Sequence, residues 1–181
     1  MTTIGIISDT HGKLPSEALA AMADVDYIIH AGDIGGPSIL RELSELAPTI
    51  AVLGNNDFDE YGSSVQRFAR PVIDGVRFLV AHYPRDVRIS FAGGGGVAPG
   101  DPVPQVLVHG HTYVPELLTG KEARPADLLI CPGAVFRQRG GFHKSTGRML
   151  VDDGRVLGAR ISSLDGATVF ETGALDKLPR A

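Results

Sequence analysis

The sequence contains a single cysteine, Cys131. One cysteine can neither form a disulfide within the chain nor supply the cysteine cluster of a structural zinc site. No stretch approaches the roughly 20 apolar residues that cross a bilayer, and the N-terminus lacks a basic segment followed by a long apolar run. We therefore expect a cytoplasmic protein in a reducing compartment, with no membrane partner.

Runs of positive charge are also missing. The chain has 21 acidic and 17 basic residues, a formal net charge of -4, and its lysines and arginines do not gather into a run. Because proteins track a nucleic-acid backbone with clustered basic residues, strong nucleic-acid binding is not expected. With 181 residues, of which 43% are hydrophobic, the chain can bury one sizeable core, so we expect residues 1–181 to form a single domain.

Short apolar runs alternate with helical patterns in the first third of the chain. The runs at 4–7, 27–30 and 50–53 are typical of buried strands. The segments between them begin near Pro15 and Pro37, and their apolar residues follow at helical spacing. This β-α-β-α-β order predicts parallel strands.

In the second part of the chain, different residues separate the apolar runs. After about residue 70, Asp-Gly pairs at 74–75, 153–154 and 165–166 separate strand-like runs, and such pairs favour hairpin turns. We therefore predict a β-rich, antiparallel second part. Residues 90–104 contain four consecutive glycines and three prolines, which predict a mobile loop rather than a helix or a central strand.

Polar side chains follow the apolar runs at the points where the runs end. These residues are Asp9 and His11 after the first run, Asp33 after the second, Asn55 after the third, His82 after a run at 78–81, and His109 and His111 after a run at 106–108. Each alone is commonly a turn residue or a hydrogen-bonded histidine, but five successive runs that end in Asp, His or Asn favour a metal site at one sheet edge. Nitrogen and oxygen donors without thiolates suit Mn, Fe, Zn or Ni.

The same residues resemble the successive signatures of the calcineurin-like metallophosphoesterases. In order and spacing, the similar segments are Asp9-Thr10-His11, Gly32-Asp33, Gly54-Asn55-Asn56-Asp57, His82 and Gly110-His111-Thr112. Residues 28–33, 132–133 and 137–141 are similar to phrases of the small YfcE-type phosphodiesterase branch. The resemblance spans nearly the whole chain and implies an α/β (α+β) fold, a four-layer αββα sandwich of two packed mixed sheets with helices outside.

The resemblance also implies a role for individual residues and two divalent ions per chain, with Mn as the first choice and Fe, Zn or Ni as alternatives. Asp9 and His11 would bind the first ion, Asn55, His82 and His111 the second, and Asp33 would bridge both. A water between such ions has its pKa lowered toward ~7 and would attack phosphorus as hydroxide, so no side-chain nucleophile is expected.

Substrate contacts are implied for Asn55, Arg137 and Arg139. Guanidinium geometry suits phosphate, and the segment that carries the two arginines resembles the closing loop of the family. The alternative for Arg137 and Arg139 is a solvated surface pair.

Two positions depart from the family pattern. Tyr113 stands where the usual Gly-His-Thr-His ends in a ligand of the first metal, so either that metal binds weakly or His109 substitutes, although a supporting role for His109 is favoured. Asn56 stands where many relatives have a histidine that protonates the leaving group, and an amide is not a useful acid at neutral pH. Asn56 is therefore a doubtful catalytic residue, and good leaving groups should be favoured unless Asp57, the metals or water assist.

We expect a phosphodiesterase or phosphatase that acts on a small phosphorylated substrate, with homo-oligomerisation left open. The alternative is a noncatalytic protein-binding scaffold, similar to the retromer subunit of the same fold. Retention of six potential ligands favours the enzyme, because a scaffold has no physical reason to keep them. A nucleotide-binding α/β protein is a weaker option, since no Gly-rich phosphate loop follows the first strand.

Overall fold

The computed structural model describes residues 1–89 and 97–173, and these residues form twelve strands and three α-helices. The strands in chain order are β1 (Thr2–Ile7), β2 (Tyr27–His30), β3 (Thr49–Ala51), β4 (Phe68–Ala69), β5 (Val72–Ile73), β6 (Val76–Ala81), β7 (Val106–Val108), β8 (Glu116–Thr119), β9 (Leu128–Cys131), β10 (Ser145–Asp152), β11 (Arg155–Ser163) and β12 (Thr168–Gly173). The helices are α1 (Ser16–Ala21), α2 (Pro37–Leu46) and α3 (Pro84–Val87), and a 3-10 segment, Asp59–Ser64, is kinked at Gly62.

The strands pair into two sheets. The first sheet has the order β12-β11-β10-β1-β2-β3, and the second has β4-β6-β7-β9-β8 with β5 also paired to β6. Strands β1, β2 and β3 are parallel, which confirms the β-α-β-α-β prediction. All three Asp-Gly pairs lie between antiparallel neighbours, β5 and β6, β10 and β11, and β11 and β12, as the hairpin signal predicted.

The prediction of a wholly antiparallel second part is wrong. Strands β6, β7 and β9 pair in parallel, so the second sheet is mixed. The connections between these strands, 82–105 and 109–127, are long enough to cross over the sheet, which parallel pairing requires. Asp-Gly pairs report only the hairpins in which they lie, and they carry no information about strands joined by longer connections.

The predicted loop at 90–104 falls partly outside the described residues, at 90–96. Residues 98–104 contain neither helix nor strand, in agreement with their composition. Strand β3 ends at Ala51, earlier than the apolar run that predicted it, because the chain there leaves the sheet after a single bridge between Val52 and Gln66.

The two sheets pack face to face around an apolar core. Ile4, Ile6 and Ile29 of the first sheet meet Phe78 and Val106 of the second, and all five are buried. Ile7 and Ile28 alternate with these residues along β1 and β2 and face the other way, toward α1 and α2. Both faces of these strands are therefore buried, which explains why the sequence shows continuous apolar runs rather than alternation.

Helices complete the outer layers. Helices α1 and α2 cover the first sheet through buried Ala18, Met22, Ile39 and Leu43. Helix α3 and the turn segment 120–126 lie against the outer face of the second sheet. The arrangement is the predicted αββα sandwich. No helix within residues 1–89 and 97–173 is long and apolar enough to cross a membrane.

Asp57 joins the loops that follow β2 and β3. Its carboxylate accepts hydrogen bonds from the backbone N–H groups of Ile34 (2.9 Å), Gly35 (3.1 Å) and Gly54 (2.8 Å), and from the Tyr61 hydroxyl (3.0 Å). Because the donors come from two loops, one side chain fixes their separation. The carboxylate is the acceptor in every bond, which does not fit the assisting role considered for Asp57 in leaving-group departure.

We predict that Asp57→Ala lowers the free energy of unfolding of the metal-free protein by about 2 kcal/mol, because three backbone N–H groups lose a charged acceptor. Urea unfolding followed by circular dichroism measures the change. Asp59→Ala removes an exposed carboxylate two residues later and is the matched control. Equal unfolding midpoints for the two variants would show that Asp57 does not hold the loops.

Candidate metal centre

Six side chains converge at one end of the sandwich. They follow five strands: Asp9 and His11 after β1, Asp33 after β2, Asn55 after β3, His82 after β6 and His111 after β7. The strands β1 to β3 belong to one sheet and β6 and β7 to the other, so the cluster lies where the loops of both sheets meet. The structure thus brings together all six residues that the sequence grouped, and their roles as metal ligands stay predictions.

The distances within the cluster are short. Single ligand atoms of Asp9, Asp33 and His82 all lie within 4.8 Å of one another. The Nε2 atoms of His11 and His82 are each 3.5 Å from Asp33 Oδ2. Asn55 Oδ1 is 3.1 Å from His82 Nε2 and 2.9 Å from His111 Nδ1, so it links the two imidazoles. Asp33 is therefore the carboxylate around which the other groups gather.

The backbone of the cluster is unusual. Asp9 (φ 55°), His11 (φ 46°), Asp33 (φ 54°) and His111 (φ 68°) all adopt the left-handed conformation, which residues other than glycine rarely do. Each such residue costs about 1–3 kcal/mol and persists only where the surroundings impose it. Four of them in one cluster indicate that the loop geometry serves the placement of these side chains.

Two glycines let the loops approach the carboxylates. A Cβ atom at Gly54 would lie 2.2 Å from both the backbone nitrogen and Oδ1 of Asp33. A Cβ atom at Gly110 would lie 1.9 Å from Ser8 Oγ and 2.8 Å from Asp9 Oδ2. Neither contact is sterically allowed, so both positions require glycine if the carboxylates keep their places.

The Asp9 carboxylate is buried and only half satisfied. Its Oδ2 accepts hydrogen bonds from the Ser8 hydroxyl and, at 3.0 Å, from the His111 backbone N–H. Its Oδ1 is buried and has no hydrogen-bond partner among the described residues. Burial raises the pKa of Asp9 to about 7. An unpartnered carboxylate oxygen beside a second carboxylate fits a cation at this position.

The Asp33 carboxylate is held from two sides by Asn56. Oδ1 accepts a hydrogen bond from the Asn56 backbone N–H (2.8 Å), and Oδ2 accepts one from the Asn56 side-chain amide (2.7 Å). Burial alone would raise the pKa of Asp33, but hydrogen bonds from His82 and Asn56 outweigh burial and hold that pKa well below its ordinary value. Asp33 is therefore a fixed anion between His11 and His82, the placement that suits a carboxylate shared by two ions.

His82 is oriented by a backbone carbonyl. Its Nδ1 lies 2.8 Å from the Ala31 carbonyl oxygen, which can only accept, so Nδ1 carries the hydrogen. Nε2 is then directed toward Asp33 and Asn55. Metal-binding histidines commonly donate their other ring N–H to a carbonyl in this way.

His30 is a residue of the site that the sequence reasoning missed. Its Nδ1 accepts a hydrogen bond from the Gly32 N–H (3.2 Å), so Nε2 donates to Thr10 Oγ1 (2.9 Å), whose hydroxyl donates to the Ile34 carbonyl (2.7 Å). Burial lowers the pKa of His30 to about 4, which keeps the ring neutral. His30 thus ties the loop after β1 to the loop after β2. A histidine at the end of an apolar run was the signal that could have identified it.

The ring nitrogens of His109 are both engaged away from the cluster. Nδ1 lies 3.0 Å from the Gly110 carbonyl oxygen and Nε2 lies 3.2 Å from Glu116 Oε2. Neither Gly110 nor Glu116 belongs to the cluster of six side chains, so neither nitrogen is directed at it. This arrangement favours the supporting role for His109 over the substitution considered from the sequence.

Tyr113 occupies the position of the missing imidazole. Its hydroxyl lies 2.6 Å from His11 Nε2, and the residue is largely buried. The contact engages the same nitrogen that faces Asp33, so Tyr113 competes with any first metal for His11. Arg137 and Arg139 lie over the Tyr113 ring, with guanidinium carbons 5.2 and 5.9 Å from its centre, and are exposed at the edge of the cluster.

We predict that Asp9→Asn stabilises the metal-free protein relative to wild type above pH 7. Between about pH 4 and pH 7 the folded wild-type chain keeps a proton on Asp9 that the unfolded chain has lost, so wild-type stability falls through this window and then levels off. The free energy of unfolding of Asp9→Asn should exceed that of wild type by an amount that grows across the same window to roughly 2–4 kcal/mol. Urea unfolding in chelator at several pH values measures it, with Asp59→Asn as control. A pH-independent difference would contradict the raised pKa.

Sequence comparison identifies relatives of the chain. Residues 2–154 match the calcineurin-like phosphoesterase superfamily domain. A probable metallophosphoesterase of Methanothermobacter thermautotrophicus is 38% identical over 120 residues, which cover 62% of this chain and 67% of the relative. A probable metallophosphoesterase of Methanocaldococcus jannaschii is 35% identical over 140 residues, which cover 72% of this chain and 67% of the relative.

Structural comparison identifies the same fold in solved proteins. The phosphoesterase Yfce from E. coli matches with a TM-score of 0.67 and 20% identity, over 94% of this chain and 98% of its own. Vacuolar protein sorting 29 from Cryptosporidium parvum matches with a TM-score of 0.70 and 16% identity, over 96% of this chain and 98% of its own. At such identities the likeness shows the fold alone. The match of residues 2–154 establishes that the chain belongs to the calcineurin-like phosphoesterase superfamily.

Proposed function

We propose that this protein is a phosphodiesterase or phosphatase that hydrolyses small phosphorylated substrates with two divalent metal ions. The observation that carries the proposal is the buried cluster of Asp9, Asp33 and His82, in which one oxygen of Asp9 has no partner among the described residues. Burying two carboxylates without a cation costs free energy. The chain belongs to a metal-dependent family, so we propose that divalent metal ions compensate this charge.

We propose the division of ligands that the resemblance to the family implies. Asp9 and His11 would hold one ion, Asn55, His82 and His111 the other, and Asp33 both. When bound, the ions supply an activated water as nucleophile and neutralise charge on the phosphoryl and leaving-group oxygens. The donors are oxygen and nitrogen atoms only, which suits manganese, iron, zinc or nickel, and we put manganese first because of the resemblance to the family.

Side chains around the ions would position the substrate. The guanidinium groups of Arg137 and Arg139 can donate paired hydrogen bonds to phosphate oxygens. The side-chain amide of Asn56 donates a hydrogen bond to Asp33 Oδ2. We therefore assign Asn56 to holding the bridging carboxylate rather than to protonating the leaving group. With neither Asn56 nor Asp57 placed as an acid, esters with good leaving groups should react fastest.

A noncatalytic scaffold remains the alternative, because a protein named for vacuolar sorting shares the fold. Metal binding alone does not separate the two functions, since vacuolar protein sorting 29 from Entamoeba histolytica has been solved in complex with Zn²⁺. The strained loops and the half-satisfied Asp9 support a metal site, and they are compatible with either function. Turnover is therefore the property that must be measured.

We predict that metal-stripped protein hydrolyses neither bis-p-nitrophenyl phosphate nor p-nitrophenyl phosphate, and that Mn, Ni, Zn or Mg added back restores hydrolysis of at least one of them. Asp33→Asn should lower activity by more than 10–100-fold, which is roughly the loss seen when a residue that only orients a ligand is replaced. The loss should also exceed that in Arg137→Gln or Arg139→Gln. Release of p-nitrophenol measures both effects.

Two results would overturn this account. A protein that binds two ions but hydrolyses neither ester with any metal would be the scaffold. Near wild-type turnover with full metal content in Asp33→Asn would refute the bridging role of Asp33.

We predict that the two ions leave in separate steps during dialysis against a chelator, the first site emptying earlier because Tyr113 occupies His11 Nε2. Tyr113→His should add a nitrogen ligand and strengthen the first site by at least about tenfold, the scale on which residues around a metal act. Metal retained per chain, measured by mass spectrometry, gives both affinities.

Tyr113→Phe is the matched control, because it removes the hydroxyl contact without adding a ligand. An equal gain in the phenylalanine variant would assign the effect to release of His11 rather than to a new ligand. Unchanged metal retention in both variants would contradict the weak first site.

A further inference from the structure

Four basic side chains surround the metal centre, and we call them the basic rim: Lys13, Arg85, Arg137 and Arg139. Lys13 follows β1, Arg85 lies in α3 after β6, and the other two follow β9. All four are exposed. The whole chain carries a net charge of -4, so this grouping runs against the overall charge of the protein.

One side of the basic rim is organised by Tyr83. The Tyr83 ring lies with its centre 4.6 Å from the centre of the His111 ring, and the guanidinium carbon of Arg85 lies 4.7 Å from the centre of Tyr83. Arg85 is therefore separated from a proposed metal ligand by one aromatic ring. A guanidinium group stacked on a ring keeps its N–H edge free and is already ordered for binding an anion.

The other side is organised by Phe136. Its ring centre lies 4.7 Å from that of His11, while Lys13 Nζ and the guanidinium carbon of Arg137 lie 5.4 and 5.9 Å from the centre of Phe136. Arg137 and Arg139 also lie over Tyr113. The same arrangement of histidine, aromatic ring and cation is thus repeated on both sides of the centre.

The strand order places the basic rim on both flanks of His111. His111 follows β7, which lies between β6, the strand before Arg85, and β9, the strand before Arg139. Arg85 and Arg139 therefore approach the centre from opposite sides of His111.

The charges of the basic rim are weakly compensated. Arg85 Nε lies 3.9 Å from Asp86 Oδ1, but Asp86 is held more closely by Arg67, at 2.8 Å. Within residues 1–89 and 97–173, no carboxylate lies within ion-pair distance of the remaining three cations. Four cations thus lie around the centre with little competition from the protein's own carboxylates.

The proposed ions already neutralise the scissile phosphate, and one arginine is enough to donate paired hydrogen bonds to it, so a substrate with a single phosphate leaves at least three of the four cations without an anion. We propose that the basic rim binds a second phosphate group of the substrate. The preferred substrate class is then a phosphoester that carries a further phosphate at another position, as a nucleoside bisphosphate does. This inference rests on the proposed function, since it concerns the substrate of the same centre.

The test compares two substrates that differ only in the second phosphate. The p-nitrophenyl ester of thymidine 5′-phosphate and its 3′-phosphorylated form share the scissile bond and the leaving group. The manganese-loaded enzyme should show a kcat/KM about tenfold higher for the 3′-phosphorylated ester, since two exposed ion pairs each contribute a few-fold. Added salt should reduce this ratio, because exposed charges are screened over about 8 Å at 0.15 M ionic strength.

Variants locate the effect on the protein. Arg85→Gln and Arg139→Gln should each lower the ratio roughly two- to fivefold. Arg155→Gln makes the same change of charge at an exposed position on the β10–β11 hairpin, at the opposite end of the first sheet, and should leave the ratio unchanged. A ratio near one in the wild-type enzyme, or a ratio that Arg155→Gln lowers as much as the rim variants do, would overturn the proposal.

A binding measurement separates this inference from the proposed function. If neither ester is hydrolysed with any metal, the proposed function fails, and calorimetry then compares thymidine 3′,5′-bisphosphate with thymidine 5′-phosphate on the metal-loaded protein. Tighter binding of the bisphosphate, weakened by Arg85→Gln, supports the basic rim without turnover. Equal binding of the two nucleotides contradicts it.

Discussion

Two carboxylates, those of Asp9 and Asp33, are buried within 4.8 Å of each other, and the geometry of the surrounding loops depends on keeping them there. Like charges repel strongly out of water, and the surroundings of the two carboxylates shift their pKa values in opposite directions. Hydrogen bonds hold the pKa of Asp33 well below its ordinary value, whereas burial raises the pKa of Asp9 to about 7. A divalent cation would relieve both the repulsion and the unpartnered oxygen of Asp9, which is why a metal explains the site better than any arrangement of protein groups alone.

The fold supplies the rigidity that this pair requires. Strands buried on both faces end in short loops whose left-handed residues would relax without support. The support is local and specific: Asp57 holds the loops after β2 and β3 together, and the hydrogen bonds from His30 through Thr10 hold those after β1 and β2. The side chains of the candidate metal centre are therefore held by contacts that do not involve a metal, so that they would already be arranged before an ion binds.

Much of this architecture could be predicted from local sequence. The parallel start of the first sheet, the three Asp-Gly hairpins and the convergence of six polar residues all follow from patterns within short segments. The parallel pairing of β6, β7 and β9 could not, because it depends on long crossover connections that carry no local signal. The clamp formed by Asp57 and the link formed by His30 were missed for a related reason. A side chain that bonds to a loop some 20 residues away looks like an ordinary turn or strand residue until the chain is folded.

The most direct test of the account is to locate the cations. Crystals soaked with Mn²⁺ should show two anomalous scattering peaks at the manganese absorption edge, one next to Asp9 and His11, the other next to His82 and His111, with Asp33 touching both. One weak peak beside Tyr113 and one strong peak beside His82 would agree with a weaker first site. No peak in this cluster, or peaks that do not contact Asp33, would contradict the account.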